Sequence, residues 1–221
     1  MIIIYRACAY GSALKERPIK DKIELVKFCF RSFKKAFKDV DYELVVLMDK
    51  PNQDLRNIFK GEKTETSFYP DFNEGNTKSF HRQLEIALEK KVNFMFVEDD
   101  YYFLPHAGKR IVEALEWFDF LTPYDHPDYY KDKVHATGKL TRQIDGQHWQ
   151  TVKSTTLTFA GRHDALKKEV ETIKKYGWAD HPMWLDITQR YNLWSPMPTL
   201  ATHMETPFLS PGISLKTLLN I

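Results

Sequence analysis

Asn93-Phe94-Met95-Phe96-Val97-Glu98-Asp99-Asp100 carries three consecutive carboxylates directly behind a short apolar run. A run of that length, stopped by charge, predicts a buried strand. Adjacent acids at the end of a buried strand repel one another unless something offsets their charge. A divalent cation does this well, because hard cations prefer oxygen ligands. A solvated acidic turn or a helix N-cap cluster is the plainer alternative. Position favours the functional reading: open α/β sheets bind ligands beyond the carboxyl ends of their strands, and the elements around this stretch predict such a sheet.

Upstream, Ile2 to Cys8 reads as a first buried strand, and Lys20 to Phe37 as a helix with Ile23, Val26, Phe30, Phe33 and Phe37 on one side. Tyr42 to Met48 is a second buried strand, stopped by Asp49-Lys50-Pro51. A short helix from Asp54 to Phe59 and a third strand from Thr64 to Tyr69 follow. Gly75-Asn76-Thr77 then opens a helix with Phe80, Leu84, Ala87 and Leu88 as its apolar stripe. This alternation predicts an α/β fold with a mostly parallel sheet flanked by helices. The strand ends collect Arg6 to Tyr10, Asp49, Tyr69 to Asp71 and Glu98 to Asp100.

Downstream the pattern is less regular. Ala107 to Phe118 reads as a helix, and the polar stretch Asp125 to Gln147 as a long loop, the acceptor or lid region if functional. Trp149 to Phe159 alternates like a strand. Asp164 to Tyr176 and Asp180 to Tyr191 read as helices. The tail from Asn192, with Pro196, Pro198, Pro207 and Pro211, is expected to wrap the surface. The 221 residues suit one domain. A net charge of +2 argues against nucleic acid as a main partner. Cys8 and Cys29 do not make a disulfide framework; two buried free thiols are the plainer reading, and a single bridge between them is the alternative. No apolar run approaches the ~18 residues of a transmembrane segment, and Met1 to Ile4 is too short for a signal peptide. The expected location is cytoplasmic, with a peripheral membrane contact allowed.

The segment Gly75-Asn76-Thr77-Lys78-Ser79-Phe80-His81-Arg82-Gln83-Leu84-Glu85-Ile86-Ala87, followed by a strand and Glu98-Asp99-Asp100, resembles the core of the GT-A nucleotide-sugar-dependent glycosyltransferases. The resemblance runs over roughly residues 2–104 in element order. Glu98 stands where that family usually has the first Asp of its Asp-x-Asp motif, and His81 where it usually has Asn. The resemblance implies a nucleotide-binding half over about residues 1–104 and an acceptor-binding half over about 105–221. It implies Mn²⁺ or Mg²⁺ bridging the diphosphate of a nucleoside-diphosphate sugar, with Asp100 on the metal. Glu98 would face the ribose or reach the metal through water, with Asp99 beside them. Asp49 would contact the base, although an Asp in a proline turn explains it equally well. Arg6 and Ala7 would flank the nucleotide. Lys78 and Arg82, four apart on a helix, would approach the phosphates or simply form a solvated face.

A late His often completes the metal shell in that family. His203 fits by position, with His106, His126, His148 and His181 as rivals. An inverting transfer needs a base for the acceptor hydroxyl. Asp180 is the first candidate and Asp186 the second, with an N-cap and a solvated helical carboxylate as their structural readings. Trp178 and Trp184 are candidates for stacking on a sugar, or core residues. The expected activity is metal-dependent sugar transfer to an acceptor hydroxyl, the acceptor being a glycan, protein or lipid. A metal-dependent phosphoesterase and a non-catalytic nucleotide- or glycan-binding module are the alternatives.

Overall fold

The structure, a computed structural model, describes residues 1–11, 16–68, 72–136 and 138–219. In chain order the elements are β1 (Ile2–Cys8), α1 (Lys22–Ala36), β2 (Glu43–Asp49), α2 (Gln53–Ile58), β3 (Lys63–Ser67), α3 (Phe72–Lys90), β4 (Phe94–Glu98) and β5 (Tyr101–Phe103). Then come α4 (Ala107–Ala114), β6 (Phe120–Leu121), α5 (Lys133–Ala136), β7 (Thr141–Ile144), β8 (Gln147–Val152) and β9 (Phe159–Gly161). The chain closes with α6 (His163–Tyr176), α7 (Asp180–Ile187), β10 (Leu193–Met197), β11 (Ala201–His203) and α8 (Leu215–Leu219). The expected site residues Tyr69 to Asp71 lie outside the described residues.

Among the described residues a nine-stranded sheet has the order β3-β2-β1-β4-β9-β6-β10-β8-β7. The pairings of β3, β2, β1 and β4 are parallel, as the βα alternation predicts. Of the described strands in this sheet, β8 and β9 run against the rest. The fold is thus mixed α/β, with a large, mostly parallel sheet flanked by helices. A separate ribbon pairs β11 with β5.

Alternation along β1 sets the two faces of the sheet. Ile3, Tyr5 and Ala7 join Val26, Phe30, Phe33 and Phe37 in one core, while Ile2 and Ile4 join Phe80, Leu84 and Phe96 in the other. The same alternation puts Arg6 and Glu98 side by side at the carboxyl edge, where they are register partners across β1 and β4.

Several expected elements change. The third strand stops at Ser67, and α3 is already helical from Phe72, so Gly75 and Asn76 sit inside its first turns. Asp125 to Gln147 is not one loop: it holds a 3₁₀ turn (Pro127–Tyr130), α5 and β7. Asp145 and Gly146 both take positive φ, 46° and 82°. That is the Asp-Gly hairpin turn whose twist matches its flanking strands, and it folds β7 onto β8. The stretch from Trp149 to Phe159 splits between β8 and β9, and α7 ends at Ile187. The proline-rich tail supplies β10 and β11 instead of wrapping the surface. Pro196 is tolerated in β10 because the two-residue β6 pairs with Leu193 and Trp194, leaving that side of Pro196 clear of β6.

Candidate active site

A cavity of about 360 Å³ opens at the carboxyl edge of β1, β2 and β4, within the size range of small-molecule sites. The expected residues Arg6, Ala7 and Asp49 line it, and so do Glu98, Asp99 and Asp100. Asp180 closes it from the second half of the chain. Its placement has a local cause. Gly177 ends α6 at φ 58°, ψ −123°, a conformation that favours glycine. A Cβ there would come within 3.1 Å of Thr77 on α3. The chain therefore turns tightly against α3 and carries Trp178 and Asp180 to the cavity wall.

Each carboxylate of the triplet meets a cation. Arg6 NH2 lies 3.1 Å from Glu98 Oε1, while its NH1 donates to the Asn76 carbonyl, Asn76 Oδ1 and Ser79 Oγ at the start of α3. Lys22 Nζ lies 2.5 Å from Asp99 Oδ1, and Asp99 Oδ2 accepts the Cys8 N–H at 2.9 Å. Arg17 NH2 stands 3.5 Å from Asp100 Oδ2, and His203 Nε2 stands 3.2 Å from the same oxygen. The β5–β11 pairing brings His203 there, with His203 opposite Tyr101. Among the described residues, the rivals His106, His126, His148 and His181 neither line this cavity nor form an ion pair with the triplet. Arg17 and Lys22 were missed in the sequence. Arg17 lies in the connector from β1 to α1, and Lys22 is the first residue of α1.

Electrostatics divide the site. Burial raises the Glu98 carboxyl and lowers the Arg6 guanidinium, each opposed by the other's charge. Burial would lower Lys22, but Asp99 and Asp100 hold it above its ordinary value. The Asp180 carboxyl is raised by burial, against the hydrogen bond that the His181 N–H donates to its Oδ1 at 2.6 Å.

Other expected residues lie elsewhere. Arg82 leaves the cavity because its guanidinium is taken up by Glu65 at 2.8 Å and Glu85 at 3.0 Å, which raise it. Lys78, on the same helix, is not among the residues lining the cavity. Asp186 is held by Arg190 at 2.8 Å and by the Tyr176 hydroxyl at 3.0 Å, which hold its carboxyl below the usual range. Trp178 is exposed and lines the cavity, whereas Trp184 is core, packed edge-on to Phe159 at 4.8 Å. Both cysteines are free, Cys29 buried and Cys8 partly exposed. Among the described residues no helix is long and apolar enough to cross a membrane.

No protein-family model and no curated protein sequence matches the chain. Solved structures do match in fold. A nucleotidyl transferase from Methanothermobacter thermautotroptrophicus superposes with a TM-score of 0.52 over 88% of this chain and 85% of its own, at 14% identity. The inositol-1-phosphate CTP transferase from T. maritima gives a TM-score of 0.51 over 99% and 93%, at 13% identity. At these identities the likeness is one of architecture: the chain has a nucleotide-diphospho-sugar transferase-like fold.

Proposed function

We propose that the chain transfers a sugar from a nucleoside-diphosphate sugar to an acceptor hydroxyl, by single displacement with inversion. One observation carries this reading: a half-buried carboxylate raised by its partial desolvation, Asp180, shares a cavity with the Glu98–Asp100 edge. A hydroxyl nucleophile needs a base, and a carboxylate raised toward the working pH is a better one. An anionic phosphate nucleophile needs none.

The charge balance supports a divalent cation. Among the described residues, three basic side chains (Arg6, Arg17 and Lys22) face five acidic ones (Asp49, Glu98, Asp99, Asp100 and Asp180) in the cavity. That formal excess of two negative charges opposes a diphosphate unless a cation enters with it. Asp100 and His203 supply an oxygen and a nitrogen donor side by side, a mixed set that suits Mn²⁺ better than Mg²⁺, which prefers oxygen ligands alone. Among the described residues no group of three His, Cys, Asp or Glu side chains is arranged to hold a metal, so diphosphate oxygens would complete the shell. Bound there, the cation would neutralise the leaving diphosphate. Glu98 would face the ribose and Asp49 the base.

A second reading is nucleotidyl transfer from a nucleoside triphosphate to a sugar phosphate. Arg17 and Lys22 favour it as cations suited to a longer phosphate chain, and the solved neighbours named above are transferases of that kind. Products separate the readings. With Mn²⁺ and a panel of nucleotide sugars, the proposed enzyme slowly releases free sugar and nucleoside diphosphate. Asp100→Ala and excess chelator each abolish that release. Pyrophosphate formed from a nucleoside triphosphate and a sugar phosphate establishes the second reading. A split diphosphate marks a phosphoesterase, and no release at all marks a binding module. Undiminished release in chelator removes the metal.

A further inference from the structure

A second cavity, about 150 Å³, adjoins the first, and Asp180 lines both. At ~30 Å³ per water it has room for roughly five waters, on the scale of one small ring. Its walls come from the stretch after β6, from the β8–β9 connector and from the start of α7. Their chemistry differs from that of the first cavity. Asp128, Asp132 and Asp180 line it with the imidazoles of His126, His135 and His181, and no Lys or Arg is among its described lining residues. The Tyr129 ring stands 4.9 Å from the His135 ring and 5.7 Å from the His126 ring, centroid to centroid. Ser154 Oγ and His181 Nδ1 are 3.1 Å apart. His126 and His135 each use Nδ1 to accept a backbone N–H, from Asp128 at 3.0 Å and Lys153 at 3.3 Å. Accepting through Nδ1 leaves Nε2 of each ring to carry the proton.

The geometry points to this second cavity as the acceptor subsite, taking one uncharged, polyhydroxylated ring whose reacting hydroxyl lies against Asp180. Carboxylates and imidazoles can exchange hydrogen bonds with sugar hydroxyls, and aromatic faces can cover the apolar face of a ring. Carboxylates with no facing Lys or Arg reject an anionic acceptor. Charge is thus sorted between the cavities: cations where the donor's phosphates would lie, acids where the acceptor would lie. This assignment rests on the transferase reading. In the step itself, the acceptor oxygen forms the new bond to the anomeric carbon. The bond from that carbon to the phosphate oxygen breaks, and the nucleoside diphosphate leaves with the electron pair. The acceptor's proton passes to the Asp180 carboxylate.

The test uses the full chain and methyl glycosides of neutral hexoses as probes, with a methyl glucuronoside as the anionic control. Binding is read from the ring proton signals of His135 and His181 by NMR, with nucleoside diphosphate and diamagnetic Mg²⁺ present. Neutral glycosides are expected to shift both signals and the glucuronoside neither. Asp132→Trp, at an exposed position on the cavity wall, fills the space. It should lower transfer about tenfold or more relative to donor hydrolysis. Asp132→Ala removes one wall carboxylate and leaves the space open, so it should narrow the preference for neutral glycosides over the glucuronoside. Unshifted histidine signals, or an Asp132→Trp variant that partitions like wild type, overturns the subsite. Equal binding of the glucuronoside overturns its charge selectivity. If no nucleotide sugar is turned over, the transferase reading fails by itself, and the NMR titration still decides whether the cavity binds a neutral sugar.

Discussion

The carboxylates at the edge of β4 and two in the second half, the buried Asp125 and the half-buried Asp180, meet desolvation in opposite ways. Glu98, Asp99 and Asp100 each have a basic side chain at 3.5 Å or closer. Asp125 and Asp180 are held by neutral donors. The Tyr130 hydroxyl reaches Asp125 at 2.7 Å, and the His181 N–H reaches Asp180 at 2.6 Å. Burial pushes Asp125 up to about 6 and raises Asp180 as well. A carboxylate facing a cation is suited to fixing charge in place, although burial raises Glu98 as well. A desolvated one without a cation beside it is better placed to take a proton. The two regions meet in one cavity, which therefore holds both a place for charge and a place for a proton.

The largest expected effect is on Asp180. Asp180→Asn keeps the shape and the acceptor for the His181 N–H but cannot take a proton. Transfer should fall roughly 10²-fold or more, with donor affinity near wild type. The wild-type rate should climb with pH through the raised Asp180 value, since the base must be ionised, and that acid limb should vanish in the variant. Rate profiles against pH with both proteins check this; a surviving limb assigns the base elsewhere.

The paired region should respond in stability. Lys22→Met strands Asp99, whose side chain is 11% exposed. Breaking a buried pair on one side costs about 3–5 kcal/mol, while removing both charges costs less. Denaturant titration should therefore find Lys22→Met clearly destabilised and the Lys22→Met/Asp99→Asn double variant partly restored. If the double variant is the weaker of the two, the pair is stabilising in its own right and the reading of this edge is wrong.

The same contrast explains what could be read before the structure. The first half is a run of βα units, in which apolar runs and helical stripes are local signals, so Arg6, Ala7, Asp49 and Glu98–Asp100 follow from the strand-end rule. Arg17 sits deeper in the β1–α1 connector and Lys22 opens α1, and only the fold turns them back onto Asp100 and Asp99. In the second half β6 has two residues and β9 three, too few to show a period. Their partners lie far away in sequence, as with Leu121 and Trp194. His203 meets Asp100 only through β11 pairing with β5, which no local pattern announces. The Asp145-Gly146 turn was legible, and the polar composition around it hid the hairpin. Lys78 and Arg82 were placed by helical spacing, which puts two side chains near one another and says nothing of what they face. Glu65 and Glu85 decide that for Arg82.

Asp125 should show a smaller effect, in pH dependence. Its folded pKa, about 6, lies above the ordinary 3.8. The folded state therefore binds this proton more tightly than the unfolded chain. The associated stability is fully present below about 4 and is lost as the pH rises through about 6. The change amounts to about 1–3 kcal/mol. Asp125→Asn should flatten that part of the stability curve, so that its loss relative to wild type is greatest in acid and shrinks or reverses above pH ~7. Thermal midpoints measured between pH ~4 and ~8 decide the point; parallel curves would mean that Asp125 stays ionised throughout.

The smallest expected effect falls on Asp186, at the opposite end of α7 from Asp180. It differs from Asp180 in every respect that matters for a base. Its carboxylate is shared by Arg190 and the Tyr176 hydroxyl, which lower its pKa and so weaken its pull on a proton. It lies outside both cavities. Asn in its place keeps one acceptor oxygen, and Arg190 keeps Glu169 at 2.6 Å and 3.0 Å. Transfer by Asp186→Asn should stay within about twofold of wild type, since no group touching the reacting atoms changes. Whatever stability the lowered carboxyl adds is present above the ordinary carboxylate range and is lost as the pH falls through its depressed value. The variant's thermal midpoint should accordingly sit slightly below wild type at neutral pH and merge with it in acid. The decisive comparison is between the two ends of the helix. If Asp186→Asn is inactive while Asp180→Asn turns over, burial is the wrong guide to the base, and α7 presents its other end to the acceptor.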